Sequence, residues 1–453
     1  MIYGYPEEPS LRPGARLALR VSTDAPTFRV EFYRCAATPV YQGGSDWLDG
    51  WEAPVHLPFQ DWSEPGTGLR GEDLPSWPAY EFEVPVDWPP GVYVAVLVEP
   101  GAHPVDARDS RHGTALFVLR GSGAPILYKL PLFTYHAYNQ VTPKPYEAAS
   151  GEGGWCLYTV PTPGELPLPV PPTVNLHRPG GGTGGTPWDH WNFDPFDPSP
   201  RQTFRHWDAP FIAWLETSGY RVDYCTDLDL HRDATLLDGY RLLVSAGHDE
   251  YWSDAMRQRV ERFVHDGYNA AFFGGNACWW RIEFDDDTSF RRVVKWSDTT
   301  DPENTLTGVS FRNGGERDLD KHPIPVGFQV QHADHWVYEG TGVVDGDRFG
   351  DRPDEYIVGY ECDGAHFDRG RLARGLPVRP TGDDGSLDSF TILGVGDVSA
   401  SGWGHGNKAA TMGLHGDRGT VFTAATTDWA RVLSAGASKV VDQVTRNVLD
   451  RLS

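Results

Sequence analysis

Two apolar stretches decide the fold, Tyr240-Arg-Leu-Leu-Val-Ser245 and Asn269-Ala-Ala-Phe-Phe273. Each has the length and residue types of a buried strand. Between them, apolar residues recur at helical spacing in a segment that Ser253 caps and Gly267 ends. A strand, a helix and a second strand in this order predict two parallel neighbours joined by a right-handed crossover.

The same alternation continues on both sides of this unit. Further strands are predicted at 126–133, 173–176, 220–225 and 419–425, and further helices at 210–217, 227–237 and 440–452. The sequence therefore predicts the α/β class with a parallel sheet. Ligands of such sheets bind beyond the carboxyl ends of the strands, so the candidate site is sought there.

The first part of the chain reads as β structure alone. Short alternating or apolar stretches separated by Pro and Gly turns predict strands at 15–21, 28–33, 80–84, 92–98 and 115–119. Such a series predicts an immunoglobulin-like β-sandwich domain over residues 1–122. Residues 123–453 are predicted to form the α/β domain, with a β-rich insertion at about 300–395.

Composition restricts the partners. The formal net charge is −24, from 63 acidic and 39 basic residues. Because phosphate binding needs clustered Lys and Arg, neither nucleic acid nor an anionic membrane is an expected partner. The N-terminus lacks a leader pattern, and no apolar run approaches the ~18 residues of a membrane span, so a cytoplasmic protein is predicted. The five cysteines form no CxxC pair, which argues against a zinc knuckle or a disulfide framework.

Polar side chains follow two of the predicted strands. Directly after Ser245 come His248 and Glu250, which share one face if the strand stays extended, while Asp249 turns away. After Phe273 come two glycines, which allow close backbone approach, and then Asn276. An imidazole, a carboxylate and an amide at one sheet edge predict a functional site there, centred on Glu250.

Other interpretations of these segments remain open. The residues around His248 and Asn276 also suit ordinary turns and helix caps. Cys278 is a possible nucleophile of an amidotransferase, but the nearby residues lack the glycines of a nucleophile elbow, and a buried thiol is favoured. The 17 Trp residues keep a non-catalytic, carbohydrate- or ligand-binding protein as the alternative function.

Several motifs in order resemble the large subunit of N,N-dimethylformamidase and its relatives. They are Thr134-Tyr-x-Ala-Tyr-Asn139, Gly153-Gly-x-x-Leu-Tyr158, His177-Arg-Pro179, Gly247-His-Asp-Glu-Tyr-Trp252, Gly275-Asn276 and Thr427-Asp-Trp429. The resemblance covers most of the chain. It implies a glutamine-amidotransferase-like α/β domain and hydrolysis of a small amide or related C–N bond.

The resemblance also implies a mononuclear ferric iron bound by two tyrosines and one glutamate. Glu250 matches the glutamate and Tyr158 matches one tyrosine. The other is Tyr138 or Tyr135, and Tyr138 is favoured because it lies in the Ala-Tyr-Asn core of its motif. Phenolate and carboxylate are hard oxygen donors of the kind that ferric iron takes.

Three further residues match polar positions of the family's site, and the resemblance assigns them to catalysis. His248 would act as general acid or base, Asn276 would steady a developing oxyanion, and Lys295 falls near a lysine of the family. The family works with a small partner subunit, so a second subunit or a homo-oligomer is expected. Relatives read Gly-Gly-x-Ser-Leu-Tyr where this chain has Cys156, which leaves the identity of the amide substrate open.

Overall fold

The computed structural model describes residues 2–52, 77–101, 113–139, 157, 173–183, 203–316, 325–399 and 408–453. They form a mixed α/β structure with many strands and few helices. The strands are β1 Ile2–Pro6, β2 Ser10–Leu11, β3 Arg16–Thr23, β4 Thr27–Arg34, β5 Val40–Gly44, β6 Leu48–Asp49, β7 Ala79–Glu83, β8 Gly91–Val98, β9 Thr114–Leu119, β10 Ile126–Leu130, β11 Thr173–Asn175, β12 Val222–Thr226, β13 Leu242–His248, β14 Tyr251–Ser253, β15 Asn269–Gly275, β16 Trp280–Phe284, β17 Ser289–Lys295, β18 Ser310–Glu316, β19 Phe328–Val330, β20 Arg348–Phe349, β21 Glu361–Gly364, β22 Thr391–Asp397, β23 Ala409–Gly416 and β24 Thr420–Thr423.

The helices are α1 Leu132–Ala137, α2 Phe204–Trp207, α3 Ala209–Thr217, α4 Asp227–Arg232, α5 Asp254–His265, α6 Asn304–Thr307, α7 Arg369–Ala373, α8 Trp429–Ser434 and α9 Lys439–Leu452, with 3-10 turns at Trp296–Asp298 and Trp336–Tyr338. Within the described residues, no helix is both long and apolar enough to cross a membrane.

The largest sheet has nine strands in the order β12-β10-β13-β15-β24-β23-β22-β19-β20. The first five are parallel neighbours, as predicted from the alternation of strands and helices. The remaining four are antiparallel. Strands from the predicted insertion therefore hydrogen-bond into the main sheet and extend it on one side.

Helix α5 joins β13 to β15 and has the predicted ends. The Ser253 hydroxyl accepts a hydrogen bond from the Met256 N–H at 3.3 Å, which satisfies one of the free donors of the first turn. Gly267 follows the helix with φ of 101°, in the left-handed region that favours glycine. Met256, Val260 and Phe263 are buried against the sheet, so the predicted apolar stripe is confirmed.

The strand predicted at 126–133 is too long, because it ends at Leu130. Pro131 has no N–H for the ladder, and the chain turns there into α1. The Asp227 carboxylate accepts the Phe133 N–H at 2.9 Å at the start of this helix. The helix predicted at 227–237 likewise ends at Arg232, since Asp233 accepts the Thr235 N–H and starts a turn.

Two sheets form most of the N-terminal part. One contains β1-β3-β7 and the other β2-β9-β8-β4-β5. Side chains from both enter one buried cluster, which includes Leu19 of β3, Val30 of β4 and Phe117 of β9. The alternating exposure along β4 follows the period of two that its sequence shows.

Candidate functional site

The candidate site lies at the carboxyl ends of β13 and β15. His248 is the last residue of β13 and pairs in register with Gly275, the last residue of β15. A Cβ atom on Gly275 would lie 2.9 Å from the Glu361 carbonyl oxygen. This glycine therefore allows β21 to pack directly onto the end of the parallel sheet.

Helix α1 brings Tyr138 to this edge. Its hydroxyl donates a hydrogen bond to Glu250 Oε2 at 2.7 Å, and both residues are at most 3% exposed. The backbone of Glu250 is fixed by the same helix, because its N–H donates to Thr134 Oγ1 at 3.0 Å. A phenol and a carboxylate thus meet in a water-poor position.

Tyr135, the other tyrosine of the motif, points elsewhere. Its hydroxyl donates to the carboxylate of Asp208, which also accepts a hydrogen bond from the Tyr128 hydroxyl at 2.7 Å. Burial raises the pKa of Asp208 well above its usual range. The structure therefore places Tyr138 at Glu250 and Tyr135 in a separate buried cluster.

His248 lies between two carboxylates. Its Nε2 atom is 2.7 Å from Glu361 Oε2 and 3.5 Å from Glu250 Oε2. The short contact is a hydrogen bond, which places a proton between Nε2 and the Glu361 carboxyl oxygen. The ring is fully buried and contacts the rings of Tyr138 and Tyr360. These contacts fix its orientation.

Glu361 was not identified from the sequence. It is 4% exposed and stands at the start of β21, in the region predicted as an insertion. Nothing in the residues around it marks a site, because it follows no predicted strand of the parallel sheet. Only the packing of β21 on Gly275 brings its carboxylate to His248.

Asn276 occupies a tight turn after β15. Its φ is 51°, in the left-handed region that asparagine tolerates better than most residues. Asp363 holds this turn by accepting the N–H groups of Asn276 and Ala277 at 3.0 and 3.1 Å. The Asn276 Nδ2 atom then donates to Glu361 Oε2 at 3.1 Å.

Asp363 makes the folded state sensitive to pH. Burial raises its pKa to about 8, although the two amide donors lower it. An exposed Asp, as in the unfolded chain, has a pKa of about 4. The contribution of Asp363 to the free energy of unfolding is therefore complete below about pH 4 and is lost as the pH rises towards 8. Between about pH 5 and 8, we expect Asp363 to lower the free energy of unfolding of the wild type by up to roughly 1.4 kcal/mol for each pH unit. In Asp363→Asn, which has no titrating group at this position, the free energy of unfolding should fall less steeply with pH. Thermal unfolding of the wild type and of Asp363→Asn over this pH range measures the two pH dependences. If the stability of both proteins falls equally with pH, Asp363 is not the group responsible.

Asp249 points away from His248 and Glu250, as strand alternation predicts. It accepts hydrogen bonds from Lys129 Nζ at 2.8 Å and from the Ser245 hydroxyl at 2.5 Å. Lys129 also donates to Asp227 at 2.5 Å, and all three charged groups are buried. This ion-pair network lies directly under the strand end that carries the site and joins it to the start of α1.

Two other candidate residues are placed away from these contacts. Lys295 ends β17 opposite Trp280, and its ammonium lies over the rings of Trp279 and Trp280 at 5.0 and 5.4 Å. Cys278 is fully buried, and this burial raises the pKa of its thiol well above the usual range. A neutral, enclosed thiol is unsuited to act as a nucleophile.

Tyr158, the remaining predicted iron ligand, lies outside the described residues. Its neighbour Leu157 is described, and the Leu157 N–H donates to the carbonyl of Ala137 at 3.0 Å, next to Tyr138. In the described part of the chain, no group of three or more His, Cys, Asp or Glu side chains is arranged to hold a metal. Tyr138 and Glu250 instead offer two hard oxygen donors, which suit ferric iron.

Comparison with known proteins gives two matches. A family model described as N,N-dimethylformamidase beta subunit-like, C-terminal, matches residues 60–443. The N,N-dimethylformamidase beta subunit of Alcaligenes sp. is 29% identical over 117 residues. That alignment covers 24% of this chain and 15% of the relative, so this chain matches only a small part of the relative's length.

Proposed function

Since this chain belongs to the N,N-dimethylformamidase beta subunit-like family, we propose that it is a hydrolase of a small linear amide. The observation that carries the proposal is the meeting of Tyr138, Glu250, His248 and Glu361 at one buried sheet edge. The phenol contacts Glu250, the imidazole lies between Glu250 and Glu361, and together the four groups supply both metal-binding oxygens and a proton carrier.

We also propose that the site takes a mononuclear ferric iron. Tyr138 and Glu250 would hold it, with Tyr158 as the third ligand. The Leu157–Ala137 hydrogen bond supports this set, because it fixes the residue before Tyr158 beside the residue before Tyr138. An iron ion there would supply a Lewis acid that polarises a carbonyl oxygen or acidifies a water molecule.

The remaining chemistry belongs to the side chains. In amide hydrolysis the oxygen of water bonds to the carbonyl carbon, the C–N bond breaks, and a proton reaches the leaving nitrogen. His248 Nε2 is the group placed to carry that proton, since it faces Glu250 on one side and Glu361 on the other. Glu361 acts through His248 as a positioning residue, because it holds the imidazole ring in one orientation.

The finer architecture follows from the same family membership. We infer that the N-terminal sheets form an immunoglobulin-like sandwich and that the following domain is amidotransferase-like. The relative's name contains the words beta subunit, so we infer that this chain also works with a further subunit or as a homo-oligomer. A cytoplasmic location remains part of the proposal.

A direct assay tests the function. Iron-loaded protein should release amine and carboxylic acid from a series of small amides. Glu361→Gln is expected to lower kcat by roughly 100-fold or more with little change in KM, because the acceptor that orients His248 is weakened while the pocket keeps its shape. A rise in KM with unchanged kcat would contradict the positioning role. Absence of hydrolysis over the whole series would overturn the proposed function.

A further inference from the structure

Arg292, on strand β17, is connected to the backbone of Tyr138 through a single residue. Its guanidinium donates a hydrogen bond to the carbonyl oxygen of Leu157. The Leu157 N–H donates in turn to the carbonyl oxygen of Ala137 at 3.0 Å. That carbonyl belongs to the peptide unit between Ala137 and Tyr138. Leu157 therefore lies between the guanidinium and the end of helix α1.

The same guanidinium is also connected to Glu250. It lies over the ring of Trp280 at 4.8 Å, which is a cation–π contact. Trp280 begins β16, and its N–H donates to the carbonyl oxygen of Glu250 at 2.9 Å. Because the Tyr138 hydroxyl donates to Glu250 Oε2 at 2.7 Å, these contacts close into a ring that runs through both proposed ligands.

Burial makes the contact with Leu157 important. The residue is 2% exposed, and its side chain belongs to the buried cluster that also contains Tyr138, Tyr251 and Phe290. A carbonyl oxygen in such a position needs a hydrogen-bond donor from the protein. Without the guanidinium, the segment would have to move towards water to satisfy that oxygen. Such a movement would strain the hydrogen bond from Leu157 to Ala137.

The residue type at position 292 suits this role. A guanidinium is planar, stays charged and has five N–H donors, so it can stack on an indole and donate to a carbonyl at the same time. Arg291, the preceding residue of β17, makes different contacts. It forms ion pairs with Glu283 and Asp285 at 3.0 Å each, in which all three side chains are partly exposed.

We propose that Arg292 is a positioning residue of the proposed iron site, which acts through Leu157 and Trp280 to hold Tyr138 and Glu250 beside each other. The inference rests on the proposed function, because it needs Tyr138 and Glu250 to be metal ligands. Residues that hold metal ligands in place usually change metal affinity by about 10- to 100-fold when they are replaced.

Arg292→Met tests the proposal, because methionine keeps an apolar side chain of similar reach but has no donor and no charge. Metal-free protein is titrated with ferric citrate and followed by the tyrosinate-to-iron charge-transfer band. The dissociation constant for iron should rise by about 10- to 100-fold relative to wild type. At saturating iron the band should return, since both oxygen donors are still present. A band that stays absent at saturation would overturn the positioning role.

Arg291→Met is the matched control, because it removes the same charge from the adjacent position of the same strand. It should keep the wild-type dissociation constant. Equal affinity for iron in wild type and Arg292→Met would overturn the inference while the proposed ligands stand. A wild type that binds no iron would reject the ligands and, with them, this role of Arg292. The amide assay tests hydrolysis separately from both.

Hydrogen exchange tests the contact itself in metal-free protein. The Leu157 N–H should exchange roughly 10-fold faster in Arg292→Met than in wild type or Arg291→Met, because its bond to Ala137 opens more readily once the Leu157 carbonyl loses its charged donor. Unchanged exchange would overturn the inference. Faster exchange together with unchanged affinity for iron would assign Arg292 to the fold alone, which also overturns it.

Discussion

Replacing Glu250 by glutamine is expected to lower amide hydrolysis by roughly 100- to 1000-fold and to remove most of the bound iron. Its carboxylate oxygen meets both the Tyr138 hydroxyl and the His248 ring, so one substitution weakens the metal-binding oxygens and the environment of the proton carrier. Glutamine keeps the size of the side chain but not its charge. Metal analysis after iron loading, together with the initial rate, measures the two effects separately.

Helix α1 provides a matched pair of variants for the same test. Tyr138→Phe should lose iron and any tyrosinate-to-iron charge-transfer colour, because its hydroxyl faces Glu250. Tyr135→Phe removes a hydroxyl from the same helix that bonds to Asp208 instead, and should keep both. Iron retained at the wild-type level in Glu250→Gln would reject the proposed ligand set. Glycan binding that survives Glu250→Ala without hydrolysis would favour a ligand-binding protein.

Replacing Lys129 by methionine is expected to lower the free energy of unfolding by about 3–5 kcal/mol. Burial opposes the charge of Lys129, but its two carboxylate partners raise its pKa above the usual lysine value, so it is charged in the folded protein. Methionine has a similar length and leaves Asp227 and Asp249 buried without their cation. Unfolding by urea, followed by tryptophan fluorescence, measures the loss.

Two further variants define the cause of that loss. Lys129→Met combined with Asp227→Asn removes one uncompensated charge and should recover part of the stability. Arg16→Met breaks an ion pair with Glu81 in which both side chains are more than half exposed, and should cost under about 1 kcal/mol. If Lys129→Met costs no more than Arg16→Met, the buried network does not stabilise the fold.

The parts of the site that follow strands could be predicted from the sequence. His248 and Glu250 share a face and Asp249 turns away, because the alternation of an extended chain is a local property. The Ser253 cap and the apolar stripe of α5 were predictable for the same reason, since both depend on residues a few positions apart. Tyr138 and Tyr158 were identified as candidate iron ligands only from the resemblance to the family.

The other parts depend on packing between distant segments. Glu361 reaches His248 only because β21 crosses the end of the parallel sheet beside Gly275, and no local pattern encodes that crossing. The choice between Tyr135 and Tyr138 depended on the turn at Pro131, which begins α1 earlier than the predicted strand allowed. The position of Asn276 likewise depends on Glu361 and Asp363, about 90 residues downstream.

The order of strands in the nine-stranded sheet also bears on how the molecule is made. Strand β15, which precedes Asn276, pairs with β24. Ala270 therefore lies opposite Val421, a residue that is synthesised much later. Pairings between such distant segments form slowly, since a long loop must close first. During translation apolar β15 would therefore lack one of its two neighbours until β24 leaves the ribosome. Chaperone dependence during synthesis is the expected cost of building a site in this way.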